Sequence, residues 1–192
     1  APNLETGRNA RCCHPWIFAV LEVGGTTNQY QPGHLARSLS GQPAGWRLSI
    51  ENFSSPNNYQ ICRSTDFSSS DSNSIFISTT SIDNVNEYAV FRQRIMNPSV
   101  PIGSFVRFKF KVKTEQLSGR GFVAYLWVIN RQGYFPLEAS RNVSGTTDWA
   151  EYISEEIQVL DNLDELRLHV GINSNTTGKV FFDDVVIEYN EQ

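Results

Sequence analysis

The sequence predicts an all-β fold, an antiparallel sandwich or barrel. From about Trp46 onward, short runs with a two-residue apolar period recur between clusters of Gly, Ser, Asn and Pro. No helical period competes with them. The clearest run is Ser104 to Thr114, where Val106, Phe108, Phe110 and Val112 point one way and Arg107, Lys109, Lys111 and Lys113 the other. One face of that strand is core and the other is wet.

Taken in chain order, Trp16 to Val23 is a first strand candidate, followed by a Gly/Thr/Gln/Pro-rich stretch to Gly45 that is long for an unstructured connection. Further strands are expected in the run Tyr59-Gln60-Ile61-Cys62 and over Ile75 to Ser78, Tyr88 to Met96, Trp149 to Val159, Glu165 to Ile172 and Lys179 to Tyr189. Asn97-Pro98, Ser118-Gly119, Gly145-Thr146-Thr147 and Thr177-Gly178 supply turns between them. Phe122 to Ile129 is different, because Phe122, Ala124, Leu126 and Val128 alternate with the equally apolar Val123, Tyr125, Trp127 and Ile129. Such a strand is covered on both faces. One cover is the inter-sheet core; the other is a loop, a partner chain or a flat ligand.

With 192 residues, 40% of them hydrophobic and 19% charged, the chain has material for one core. The expected division is an N-terminal extended arm over residues 1–15 and a single domain over 16–192, whose first strand and long loop occupy 16–45. A net charge of −4 and a pI near 5.4 give no general attraction for nucleic acid or anionic lipid. The apolar run Trp16 to Leu21 is far short of the roughly 20 residues of a membrane span. A start at Ala1 without a leader-like segment, and N-x-S/T sequons at Asn52, Asn142 and Asn175, make a secreted, extracellular or cell-surface glycoprotein the expectation. Three cysteines, Cys12, Cys13 and Cys62, suit one bridge from Cys62 to the vicinal pair, closing about 50 residues and adding on the order of 4 kcal/mol.

Several phrases in order resemble the jelly-roll carbohydrate-binding modules of families four, nine and twenty-two, over about residues 16 to 189. They are Leu21-Glu22-Val23-Gly24, Pro43-Ala44-Gly45-Trp46, Phe91-Arg92-Gln93-Arg94-Ile95 with Gly103-Ser104-Phe105-Val106-Arg107-Phe108, Thr146-Thr147-Asp148-Trp149, and Gly178-Lys179-Val180-Phe181-Phe182-Asp183-Asp184-Val185. The resemblance implies a two-sheet jelly-roll β-sandwich of the galactose-binding-domain-like kind, a polysaccharide or other glycan as partner and no catalysis. It also implies a structural Ca²⁺ joining first and last strands, held by Glu22 with Asp183 or Asp184. Asn3-Leu4-Glu5 competes with the first-strand match at Glu22.

A sugar needs a flat aromatic face against its C–H side, flanked by planar donors that fork onto hydroxyls. Tyr125 and Trp127 supply the platform, and Gln93, Arg92, Arg141 and His169 are the candidate donors. The stripe Arg107, Lys109, Lys111 and Lys113 reads as a solvated outer face or an edge protected by charge, with attraction of a polyanionic glycan as the alternative. Catalysis finds no G-x-S-x-G elbow, and Cys12-Cys13-His14 cannot converge on one tetrahedral metal ion unaided. The carboxylate neighbours Glu155-Glu156 and Asp183-Asp184 are expected on opposite faces of their strands. The competing reading is a subunit of an extracellular filament or matrix, in which Trp16 to Leu21, apolar on both alternating faces, inserts as a donated strand into another copy.

Overall fold

A computed structural model describes residues 46–51, 59–64, 69, 74–79 and 88–190. The expectations placed on Cys12, Cys13, Glu22 and Asn52, on the arm, and on the Trp16 to Leu21 run lie outside the described residues. So does the side chain of Cys62, whose backbone belongs to a strand.

Eleven strands are described: β1 (Trp46–Glu51), β2 (Tyr59–Ser64), β3 (Ser74–Thr79), β4 (Tyr88–Met96), β5 (Phe105–Gly119), β6 (Phe122–Asn130), β7 (Gly133–Glu138), β8 (Gly145–Ile153), β9 (Ile157–Gln158), β10 (Leu163–Ile172) and β11 (Thr176–Asn190). They form two antiparallel sheets packed as a sandwich. Sheet I has the order β1-β4-β10-β6-β7, and sheet II the order β2-β3-β11-β5-β8 with β9 added alongside β5. The region expected as one strand from Trp149 to Val159 is β8, which begins four residues earlier, and the short β9. The strand β7 is not signalled by sequence period, since Pro136 interrupts it; a proline is tolerated there because β7 is an edge strand.

The core forms where the inward halves of the two sheets meet. Val106, Phe108, Phe110 and Val112 of β5 are each no more than 1% exposed, as their alternation predicts. From sheet I, Ala89, Phe91, Phe122, Ala124, Leu126, Leu168 and Val170 face them. Aromatic rings join the sheets: Phe110 meets Phe122 edge-on at 5.9 Å, and Phe122 meets Phe182 at 6.0 Å and 90°. Each such ring buries on the order of 150–250 Å². That burial fixes the register, because a one-residue slip would turn Phe122, Ala124 and Leu126 out and bring the alternate set in. Their inward orientation is what sends Val123, Tyr125, Trp127 and Ile129 to the outer side of sheet I. At Gly171, β4 and β10 approach so closely that a Cβ would run into the Ala89 carbonyl oxygen, which only glycine accommodates.

Candidate functional site

The register of sheet I arranges its outer face in rows. Arg47 of β1 pairs with Arg92 of β4, Arg92 with His169 of β10, His169 with Tyr125 of β6, and Tyr125 with Glu138 of β7. The adjacent row runs Arg94, Arg167, Trp127, Pro136, and the next Met96, Glu165, Ile129, Tyr134. Four of the six expected ligand residues, Tyr125, Trp127, Arg92 and His169, therefore share one face. Gln93 does not. It is the strand neighbour of Arg92 and takes the register of the core residue Leu168, so period two sends it to the inner side. Arg141 bridges to Phe122, another core-side position, and its guanidinium donates to the Ser140 carbonyl at 2.8 Å. It stands exposed beside the end of β6.

Along β6 the expected double cover holds with one gap. Val123 and Ile129, on the outer side, are 4% and 8% exposed, whereas Tyr125 and Trp127 are half-exposed. Their rings lie 6.5 Å apart and within 29° of parallel, a stacked pair. Burial pushes the Tyr125 phenol above its ordinary pKa, with the neighbouring Ser140 hydroxyl acting against that rise. The outer face of sheet I is thus covered at both ends of β6 and open at an aromatic window.

Beside the window stands an ion cluster whose pairing no sequence phrase marks. Glu165, its side chain only 5% exposed, accepts from Arg94 Nε at 2.7 Å and Nη2 at 2.6 Å, and from Arg167 Nε at 2.7 Å and Nη2 at 3.1 Å. Hydrogen bonds from Arg94 and then Arg167 hold its carboxyl at about 2, against the opposing effect of burial. The sequence signal for the two arginines is parity. Arg94 is two residues from Arg92, and Arg167 two from His169, so each shares its neighbour's face.

The outer face of sheet II is chemically closed. Arg107 bonds Glu156 at 3.1 Å and Glu188 at 3.0 Å; Lys109 pairs with Glu188; Lys111 meets Asp184 at 2.8 Å and Lys113 meets Asp148 at 3.4 Å. Every cation of the stripe has a carboxylate partner. A depression of about 310 Å³ lined by Phe105, Arg107, Glu156, Glu188, Tyr189 and Asn190 lies on this face, with its charges paired to one another.

The expectation that Asp183 and Asp184 point to opposite faces is corrected by a bulge. The β11–β5 register shifts between Asp183 and Val186, and Asp184 takes a φ of 48°. Both carboxylates then reach Ser69: Asp183 accepts from its backbone N–H at 2.6 Å and Asp184 from its hydroxyl at 2.9 Å. Among the described residues no three His, Cys, Asp or Glu side chains gather as a metal cluster. Of the sequon asparagines, Asn142 is exposed and Asn175 lies half-buried in the turn between β10 and β11, with a φ of 53°.

No protein-family model matches the chain, and no curated protein matches it by sequence. Solved structures do match. The enzymatically active domain of tailspike protein 4 from bacteriophage CBA120 superposes with a TM-score of 0.56 at 16% identity over 76% of this chain, which spans only 19% of the tailspike chain. A xylan-binding domain of carbohydrate-binding module family 22 superposes with a TM-score of 0.50 at 10% identity, covering 77% of this chain and 88% of that one. The second family 22 xylan-binding domain of Xyn10C from Paenibacillus barcinonensis gives 0.49 at 15% identity, with 77% and 92% covered. At such identities the likeness is one of fold. The chain is an antiparallel two-sheet β-sandwich with the jelly-roll fold of carbohydrate-binding modules of the family 22 type.

Proposed function

We propose that the chain is a secreted, non-catalytic glycan-binding β-sandwich whose ligand lies on the outer face of sheet I, against Tyr125 and Trp127. One observation carries the reading: along a strand otherwise covered on both sides, the two half-exposed positions are neighbouring aromatic rings, stacked and facing outward. A pyranose presents a flat C–H face of matching size, and its hydroxyls would meet Arg92, His169 and Glu138 from the row through Tyr125. The fold likeness to a xylan-binding domain supports the same ligand class. Retardation in native gels containing polysaccharide tests it. Binding to at least one plant or bacterial polysaccharide is expected, with Trp127→Ala weakening it about tenfold or more, as removal of an aromatic anchor does. No retardation on any polymer, or full retardation of Trp127→Ala, would overturn the reading.

Calcium belongs to the proposal through Glu22 with Asp183 and Asp184, the latter already engaged by Lys111. A melting temperature that falls on chelation in the parent protein and not in Asp183→Asn would support it. An identical melting temperature with and without chelator would remove it.

A further inference from the structure

We infer that the sugar taken by this face carries a negative charge, a uronate carboxylate or a sulfate, and that Arg92 receives it; the inference rests on the glycan-binding reading above. On β4 and β10 stand three outward guanidiniums, Arg92, Arg94 and Arg167, against two carboxylates, the buried Glu165 and the exposed Asp164 at the bulge beside it. Glu165 is fully engaged, two bonds coming from Arg94 and two from Arg167. Arg92 is left out of that cluster. Among the described residues its side chain makes no hydrogen bond or ion pair, and its Nε is buried. The next carboxylate in its row, Glu138, is three strands away, about 14 Å at the usual strand spacing.

This local excess of positive charge sits on a chain whose net charge is −4. It cannot be a by-product of general basicity. The contrast with the other sheet is direct, since every cation of the Arg107 to Lys113 stripe is neutralised. The Nε–H is shielded from solvent, so an oxyanion would meet the outer N–H groups of the guanidinium, where a charged acceptor bonds more strongly than a hydroxyl. The planar fork of arginine suits two oxygens of one carboxylate or sulfate. Two strands from Arg92, Tyr125 provides the ring on which the same sugar unit would rest.

Polymer pairs that differ in charge alone provide the test: polygalacturonate against its fully methyl-esterified form, and dextran sulfate against dextran, measured by native affinity electrophoresis and calorimetry. The charged member of at least one pair should bind about tenfold tighter, the worth of a charge-assisted hydrogen bond. Preference within the first pair assigns a carboxylate, and within the second a sulfate. Arg92→Gln should abolish the preference, Arg92→Lys should keep part of it, and Lys113→Gln on the opposite sheet should leave it intact. If Arg92→Gln fails to fold, the parent protein decides by salt: the preference should collapse between low and about 0.5 M ionic strength, where screening is strong. Equal binding of charged and neutral members, with Trp127→Ala still weakening both, would overturn the charge assignment and leave the glycan face standing. Equal losses in Lys113→Gln and Arg92→Gln would mean unspecific attraction and overturn it too. Failure of every polymer, neutral ones included, would remove the face itself.

Discussion

The two outer faces of the sandwich carry similar residues and have opposite character. Both present a row of cations and a pair of stacked aromatic rings. On sheet II, Phe76 and Phe181 stack at 5.1 Å with Phe76 half-buried and Phe181 only 3% exposed, and the lysine stripe is matched carboxylate for cation. On sheet I, both Tyr125 and Trp127 are half-buried, and one arginine has no partner among the described residues. What distinguishes a binding face from an outer wall is thus not which residue types it holds but which of them the fold leaves unsatisfied.

The largest effect should come from Glu165, the one buried carboxylate of sheet I among the described residues. Glu165→Gln would leave Arg94 and Arg167 facing each other and forgo an interaction that holds the carboxyl at about 2 instead of 4.5. That shift corresponds to a loss on the order of 3 kcal/mol at neutral pH. By contrast Asp148→Asn on sheet II removes a carboxylate that is 89% exposed, and urea unfolding should register a far smaller change, since solvent screens such a pair. Equal losses in the two variants would erase the distinction between the faces.

The acid limb of stability follows from the same residue. Since its folded-state pKa is depressed, Glu165 contributes stability that is complete above the unfolded value of 4.5 and lost as pH falls from there towards 2. Glu188, whose carboxyl Lys109 and Arg107 also hold below its ordinary value despite burial, adds in the same sense. Melting temperature against pH should therefore drop between about 4.5 and 2, and Glu165→Gln should flatten the drop. An unchanged profile in that variant would contradict the assignment.

Smaller effects separate binding from folding. Glu188→Gln removes the carboxylate that Arg107 and Lys109 share, while Arg107 keeps Glu156, and a cost of about 1 kcal/mol with unchanged glycan affinity is expected. Arg92→Gln removes no ion pair among the described residues, so its stability should stay within about 0.5 kcal/mol of the parent. Its binding, not its folding, should suffer. A large loss of stability in Arg92→Gln would show that the arginine is structural.

Period two makes the sandwich legible in the sequence. The alternation of β5 gave its core side residue by residue, and the doubly apolar pattern of β6 pointed to the aromatic window. Pairing was not legible. Arg94 and Glu165 lie 71 residues apart, and nothing local says that they meet. Gln93 and Arg92 read alike as donors in composition, although adjacent positions of a regular strand face opposite ways, so parity admits only one of them to the outer face. The convergence of Asp183 and Asp184 on Ser69 depends on a bulge with a left-handed aspartate, which no alternation pattern anticipates. The edge strand β7 escaped because it is held by its neighbour β6 and not by its own pattern.

The central claim is that ligand meets the molecule at the window of sheet I. Two-dimensional NMR of the indole N–H signals during titration with an oligosaccharide tests it most directly, since the chain has four tryptophans and Trp127→Phe identifies the relevant signal. The account predicts that the Trp127 indole shifts with ligand concentration, together with backbone amides of β6 and β10, while amides along β5 stay in place. A titration that moves the amides of β5 and β8 and leaves the Trp127 indole still would contradict it.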